Sequence, residues 1–150
     1  NQLYNPLEGD SASIATAISY ISAFSDIQIK QSIAVTGSMN QKGTVQPVGG
    51  VNEKIEGFYR LCKEQGLLTG EPKEDYGVII PKANAQSLML DKELIEDINT
   101  GKFHIYAVSN LNEAIEILTD IPAEEVHNKV NKRLEQYTKG YQQLYQREEK

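Results

Sequence analysis

The sequence predicts an α/β fold in which helices pack on a mixed, at least partly parallel sheet. Apolar patterns with the period of a strand alternate with patterns of helical period along the 150 residues,. Residues 76–81 form a short, densely apolar run of the kind that is buried on both faces of a parallel sheet,. A chain of this length is enough for one core but not for two.

The first third of the chain predicts a helix followed by a β-hairpin. Isoleucines recur at helical spacing over residues 11–25, and Asp10 or Ser11 is the natural N-cap of that helix,. Residues 32–36 and residues 43–48 have strand patterns on either side of a polar turn,. We therefore expect these two strands to pair with each other.

The rest of the chain alternates helices with strands. Glycines and asparagines mark several of the boundaries,. The predicted order is a helix over 51–62, a strand over 76–81, a helix over 91–99, a strand over 103–108, a helix over 110–118 and a long amphipathic helix from 122 onward,. The last helix is either continuous or divided near Gly140.

The composition is typical of a soluble globular domain. Hydrophobic residues make up 39% and charged residues 24%, and the formal net charge is −6 with the cations spread along the chain,. This distribution argues against a surface for nucleic acid or anionic membrane. No apolar run approaches the roughly 20 residues that cross a bilayer. We therefore expect no membrane contact and a cytoplasmic setting.

Several common catalytic and cofactor motifs are absent from the sequence. It has no phosphate-loop motif, no dinucleotide-binding motif and no H-E-x-x-H zinc motif,. Cys62 is the single cysteine, which excludes an internal disulfide and is expected to be a buried structural thiol,. We expect His104 and His127 to be structural or solvated, which excludes a Ser-His-Asp triad.

Ser11 is the candidate nucleophile. A serine without a histidine partner needs another base, and lysine can serve where burial leaves its amine neutral. Ser11 lies where the first helix begins, so unpaired backbone N–H groups there could stabilise an oxyanion,. Gly9 would let the backbone approach a substrate carbonyl closely. The alternative is that Ser11 only caps the helix, which is a common role for serine.

Lys54 is the candidate base. It lies one turn into the second helix, on nearly the same face as Val51 and Phe58,. A lysine on an apolar stripe needs a partner for its ammonium group or loses its proton. The alternative is a surface lysine that pairs with Glu53 or Glu56, and the local sequence does not decide between the two.

Three motifs, taken together, resemble one protein family. Residues 8–13 read E-G-D-S-A-S, residues 35–38 read V-T-G-S, and residues 46–54 read Q-P-V-G-G-V-N-E-K. In order and spacing they closely resemble the proteolytic domain of Lon proteases, over about residues 8–118. The first motif and residues 52–58 resemble the LonB-like, bacterial Lon-related enzymes that are fused to an AAA+ ATPase.

The resemblance implies the Lon proteolytic α/β fold, of the ribosomal protein S5 domain 2-like type, and the activity of a serine endopeptidase. Carried onto this chain, Ser11 is the nucleophile and Lys54 is its general base in a Ser-Lys dyad. Thr36 matches the threonine that hydrogen-bonds the lysine, and backbone N–H groups near Gly9, Asp10 and Ser11 match the oxyanion hole. Two roles are open for Asp10. It either caps the helix, or its carboxylate keeps Lys54 protonated and inactive until substrate or assembly moves Asp10 away.

The resemblance also sets expectations about partners and domain organisation. The family cleaves unfolded or damaged polypeptides inside a hexameric ring, so we expect a homo-oligomer. ATP and magnesium are expected only in an attached ATPase module, and no cofactor or metal in this chain. The family domain has further strands before the serine, so residues 1–121 are expected to be its C-terminal part and residues 122–150 a helical extension. The alternative is a catalytically silent Lon-like scaffold that drives oligomerisation of an attached ATPase.

Overall fold

The computed structural model of the chain describes residues 13–148. The elements are helix α1 (Ser13–Ser25), strands β1 (Ile33–Val35), β2 (Ser38–Met39) and β3 (Val45–Gln46), helix α2 (Val51–Glu64), strand β4 (Gly77–Pro81), a 3₁₀ helix (Lys82–Ser87), helix α3 (Lys92–Asn99), strand β5 (His104–Val108), and helices α4 (Leu111–Thr119) and α5 (Ala123–Glu148). The predicted α/β class is confirmed, and most of the predicted elements begin and end within two residues of their expected bounds.

The central sheet is parallel and three-stranded, in the order β1-β4-β5. Val78 of β4 lies opposite Ala34 of β1 on one side and opposite Ile105 of β5 on the other. All five residues of β4 are buried, as the apolar run predicts. Gly77 is required at the start of this strand, because a Cβ atom there would overlap the carbonyl group of His104.

Helices cover both faces of the sheet. Successive side chains of a strand point to opposite faces. Val78 and Ile80 accordingly join one core with α2 and α3, whereas Ile79 joins another with α1 and α4. Cys62 lies in the first core and is 1% exposed, which confirms the prediction of a buried thiol. The described residues therefore form three layers, with the sheet in the middle.

The predicted hairpin between residues 32–36 and residues 43–48 is wrong. β1 pairs with β4, and the antiparallel pair consists of β2 and β3, with Ser38 opposite Gln46. Gly37 separates the two pairings, because its φ of 142° is a conformation that side chains disfavour and it redirects the chain after β1,. Pairing with β4 also gives β1 a fully buried apolar neighbour, which the local hairpin lacks.

The C-terminal helix α5 runs without a break through Gly140, so a division at this glycine is excluded. Ala123 and Val126 are buried beside α4, and the ring of Tyr137 meets the ring of Phe24 edge-on at 6.3 Å. Between residues 13 and 148, none of the helices has the length and apolar character needed to cross a membrane. The boundary between a domain and an extension at residue 121 stays a prediction.

Candidate active site

The C-terminal edge of the parallel sheet brings two of the predicted site residues together. Thr36 follows β1 directly, and Lys54 lies one turn into α2. Lys54 Nζ donates a hydrogen bond to Thr36 Oγ1 over 3.3 Å. Gly9, Asp10 and Ser11 lie outside the described part of the chain, so their places in a site stay predictions.

Thr36 is held by the sheet and by close packing. Its backbone N–H donates to the carbonyl of Ile79 over 2.9 Å, and only 3% of the residue is exposed. A Cβ atom on the next residue, Gly37, would lie 2.8 Å from Ile14 Cδ1 and 3.1 Å from Pro81 Cγ. Packing this tight makes the hydroxyl of Thr36 a fixed acceptor.

The first turn of α1 is attached to the same part of the chain. Ser13 Oγ accepts a hydrogen bond from the backbone N–H of Met39 over 3.1 Å. The β2–β3 pair is in turn joined to the end of β5, because Val45 N–H donates to the Ser109 carbonyl over 2.9 Å. α1 and α2 therefore both contact the segment 36–39, at the edge where the parallel strands end.

Lys54 lies at the border of the apolar face of α2. Val51 and Ile55 are buried, whereas Lys54 is an exposed residue. Lys54 lies on nearly the same face as Val51, as expected, but the apolar stripe does not bury it. Three residues turn a helix by about 300°, which leaves the two side chains about 60° apart around the axis. This offset lets the stem of Lys54 lie in solvent while its amine reaches the buried hydroxyl of Thr36.

The far end of α2 is anchored to α3. The hydroxyl of Tyr59 donates a hydrogen bond to the carboxylate of Asp97. Burial, followed by this hydrogen bond, raises the pKa of Tyr59. The phenol therefore remains a donor at every pH at which the protein is expected to work, and the helix that carries Lys54 is fixed beyond the site.

Two residues that hold the site were missed by sequence reasoning. Asn84 forms two hydrogen bonds with the backbone of Val48, one to the N–H over 3.1 Å and one to the carbonyl over 2.9 Å. Residues so far apart in sequence leave no local pattern that would connect them. Ser13 was overlooked because only its neighbour Ser11 was considered as a functional serine, although both belong to the same motif.

The two histidines have structural contacts. The ring of His104 stacks on that of Tyr106 at 5.9 Å between centroids, and His127 Nε2 lies 2.8 Å from Asn112 Oδ1. Between residues 13 and 148, no three His, Cys, Asp or Glu side chains are grouped to hold a metal ion. The described edge carries a lysine amine that is hydrogen-bonded to a threonine hydroxyl.

A comparison with protein families matches residues 4–120 to the Lon protease (S16) C-terminal proteolytic domain. The matched range covers α1 to α4 and includes every residue of the candidate site.

Individual relatives agree with the family match. A Lon protease homolog of Escherichia coli is 47% identical over 120 residues, which are 80% of this chain and 20% of the relative. One from Haemophilus influenzae is 44% identical over 117 residues, 78% of this chain and 19% of the relative. The archaeal Lon protease of Archaeoglobus fulgidus is 42% identical over 113 residues, 75% of this chain and 16% of the relative. This chain thus spans about a fifth of the length of these curated relatives.

Proposed function

The chain belongs to the family of Lon protease C-terminal proteolytic domains, and on that basis we propose that it is a serine endopeptidase domain with a Ser11–Lys54 dyad. Ser11 Oγ attacks the substrate carbonyl carbon, and Lys54 takes the hydroxyl proton as the new C–O bond forms. The C–N bond then breaks, and the proton passes from Lys54 to the leaving amine. Water attacks the acyl-enzyme with Lys54 again as the base, which releases the acid and restores Ser11.

The hydrogen bond from Lys54 Nζ to Thr36 Oγ1, 3.3 Å long, is the observation that carries this proposal. A general base is efficient only when its amine is aimed at the proton that it removes. The buried hydroxyl of Thr36 fixes the direction of one N–H bond of the Lys54 amine,.

The arrangement of α1 gives independent support. Ser13 is attached to Met39, three residues beyond Thr36. The motif that contains Ser11 is thereby connected to the segment that orients Lys54. Backbone N–H groups at the start of a helix have no intrahelical acceptor, and they suit the oxyanion of a tetrahedral intermediate.

The wider setting is a further part of the proposal. Unfolded or damaged polypeptides are the substrates that the family activity suggests for this site. An AAA+ ATPase outside this chain would feed them to a hexameric ring, and the need for ATP and magnesium would belong to that module. The relatives are long enough to contain such a module, since this chain matches only about a fifth of each.

A catalytically silent scaffold is the alternative function. A scaffold needs the fold and its oligomer contacts, but it has no use for an amine directed at a buried threonine. The contact between Lys54 and Thr36 therefore favours the enzyme over the scaffold.

Covalent labelling of Ser11 tests the proposal directly. The full-length protein is treated with a fluorophosphonate, and the modified peptide is identified by mass spectrometry. We expect an adduct on Ser11, none in Ser11→Ala, and labelling slowed at least about a hundredfold in Lys54→Met. Lys42→Met, in the exposed β2–β3 turn, is the matched control and should react at the natural rate. A folded, assembled protein that gives no adduct on Ser11 would support the scaffold.

A further inference from the structure

Asn84 binds both backbone groups of a single residue. It lies in the 3₁₀ helix that directly follows β4. Its Oδ1 accepts a hydrogen bond from Val48 N–H over 3.1 Å, and its Nδ2 donates to the Val48 carbonyl over 2.9 Å. Val48 lies outside the strands, so no neighbouring strand pairs with its N–H and carbonyl groups. The amide side chain of Asn84 pairs with both instead.

The segment that Asn84 holds leads directly into the helix of Lys54. Val48 is followed by Gly49 and Gly50, and α2 begins at the next residue. Gly50 has a φ of 71°, and no side chain caps the helix there. A Cβ atom on Gly49 would meet nothing within 4 Å. A Cβ atom on Gly50 would lie 3.8 Å from Glu53 Oε2. Val51, the first residue of α2, is buried in the core, so packing fixes the helix from that residue onward. The two glycines before it are flexible, so the direction in which the chain enters α2 also depends on how Val48 is held.

The same part of the chain also contacts α2 from outside. Asn52 Oδ1 accepts from Met89 N–H over 3.0 Å, and Glu56 Oε1 accepts from Asp91 N–H over 3.3 Å. These contacts are exposed, whereas the contacts of Asn84 are partly buried. Competition from water is weaker for the partly buried pair, so among these hydrogen bonds those of Asn84 to Val48 are the best protected,.

We propose that Asn84 is a positioning residue for Lys54, which it serves by fixing Val48 and hence the start of α2. This role rests on the proposed dyad, in which Lys54 is the base. Asn84 does not touch the reacting atoms. Together with the buried Val51, it limits how far the first turn of α2 can rotate on the two glycines, and so it helps to keep the Lys54 amine in line with the Thr36 hydroxyl. Misplacement of a catalytic group by about 1 Å is enough to slow a reaction greatly.

The test compares Asn84→Ala with a matched variant in the same 3₁₀ helix. Ser87→Ala removes an exposed hydroxyl that bonds only to the Asn84 carbonyl over 3.3 Å and leaves the Val48 contacts in place. Both variants are made in the full-length protein. Hydrogen exchange is followed in the peptide that contains Val48, and fluorophosphonate labelling of Ser11 is measured over a range of probe concentrations.

For Asn84→Ala we expect at least about tenfold faster exchange at Val48 and about a tenfold lower maximal labelling rate, with an unchanged half-saturating probe concentration. Ser87→Ala should stay within about twofold of the natural protein in both measurements. A structural role alone would lower stability without changing the maximal rate of the folded protein. If Asn84→Ala does not fold, Asn84→Asp supplies the comparison, because it keeps the volume and the acceptor but loses the donor to Val48.

The outcomes separate this proposal from the dyad itself. Unchanged exchange at Val48 in the variant overturns the role of Asn84, whatever the activity. Faster exchange with an unchanged maximal rate also overturns it, and leaves the dyad standing. Absence of any Ser11 adduct in the natural protein rejects the dyad and, with it, the role of Asn84 in positioning Lys54.

Discussion

The amine of Lys54 donates a hydrogen bond to the hydroxyl of Thr36, which joins an exposed lysine to a threonine of which only 3% is exposed. The two partners differ in freedom, because Thr36 is fixed by the sheet and Lys54 ends a flexible stem. The threonine therefore determines where the amine lies. Substitution of Thr36 can therefore test the orientation of the Lys54 amine with little disturbance to the fold.

Thr36→Val should slow catalysis without unfolding the protein. Valine keeps the shape of threonine and removes the hydroxyl that accepts from Lys54. We expect the maximal rate of Ser11 labelling to fall about tenfold, which corresponds to the loss of one hydrogen bond worth about 1.4 kcal/mol. The free energy of unfolding should change by less than about 1 kcal/mol, because water can solvate the exposed lysine. Thermal melting and probe kinetics on the same preparation measure both.

Thr36→Ser is the control for that change. It keeps the hydroxyl and removes a methyl group, so labelling should stay near the natural rate while stability falls by about 1 kcal/mol. If valine and serine slowed labelling equally, the hydroxyl of Thr36 would have no part in orienting Lys54.

The layers of this fold could be predicted from the sequence, but the strand pairing could not. The apolar run at β4 has only one environment that suits it, a central buried strand, and the structure places it there. β1 was paired wrongly because a hairpin partner nearby in sequence is the simplest choice. The actual partner is β4, 44 positions away in register, as Ile33 opposite Gly77. The preference for it comes from burial on both faces, which a local pattern does not contain.

In α2, the sequence pattern also fails to predict which individual residues are buried. Leu61 is 47% exposed although its side chain is apolar, whereas Tyr59 is 7% exposed although its side chain carries a hydroxyl. Tyrosine can be buried here because the carboxylate of Asp97 accepts a hydrogen bond from its hydroxyl, and the sequence does not reveal that partner,. Lys54 and Thr36 were found through their motifs, yet Asn84 belongs to no motif that sequence reasoning had singled out. Asn84 binds the backbone of Val48, and because every residue has a backbone, the identity of residue 48 gives no sign of this contact.

Gly37→Ala should destabilise the protein by about 1–3 kcal/mol. The φ of 142° at this position disfavours any side chain, and the new Cβ atom would lie 2.8 Å from Ile14 Cδ1 and 3.1 Å from Pro81 Cγ. The proline ring cannot move away as a flexible side chain would. Urea unfolding at neutral pH measures the loss.

Gly57→Ala is the matched control for Gly37→Ala. Gly57 is exposed inside α2, and a Cβ atom there would meet nothing within 4 Å. Alanine should therefore stabilise the helix by up to about 1 kcal/mol. A similar loss of stability in both variants would mean that close packing at Gly37 is not the cause.

Cys62 should make the stability of the protein depend on pH in the alkaline range. Burial raises the pKa of its thiol. Above about pH 8.5 the thiol of the unfolded chain ionises while the folded thiol keeps its proton. The unfolded state then binds fewer protons, so the free energy of unfolding is unaffected at neutral pH and falls as the pH rises, until the folded thiol also ionises.

Cys62→Ala separates this effect from the loss of packing. At pH 7 the variant should be less stable by about 1–2 kcal/mol because of the cavity. Between pH 8 and pH 10 its stability should fall less steeply than that of the natural protein, as measured by urea unfolding with reductant present. Tyr59 and Tyr106, whose pKa values burial also raises, act in the same direction, so the stability of the variant still falls with rising pH. Equal slopes in the two proteins would contradict the assignment to Cys62.

Ser13→Ala should slow the labelling of Ser11 several-fold while the protein stays folded. The hydroxyl of Ser13 accepts from Met39 N–H over 3.1 Å and is the contact that joins the first turn of α1 to β2. Its loss should cost about 1 kcal/mol of stability, and labelling should slow several-fold because Ser11, the proposed nucleophile, lies only two residues earlier in the chain. Ser19→Ala is the control, since Ser19 Oγ bonds only within α1, to the Ala15 carbonyl over 2.9 Å. Ser13→Ala should melt a few degrees below Ser19→Ala, and its labelling, measured well below both melting temperatures, should be several-fold slower. Equal labelling rates in the two variants would mean that the contact with Met39 serves the fold alone.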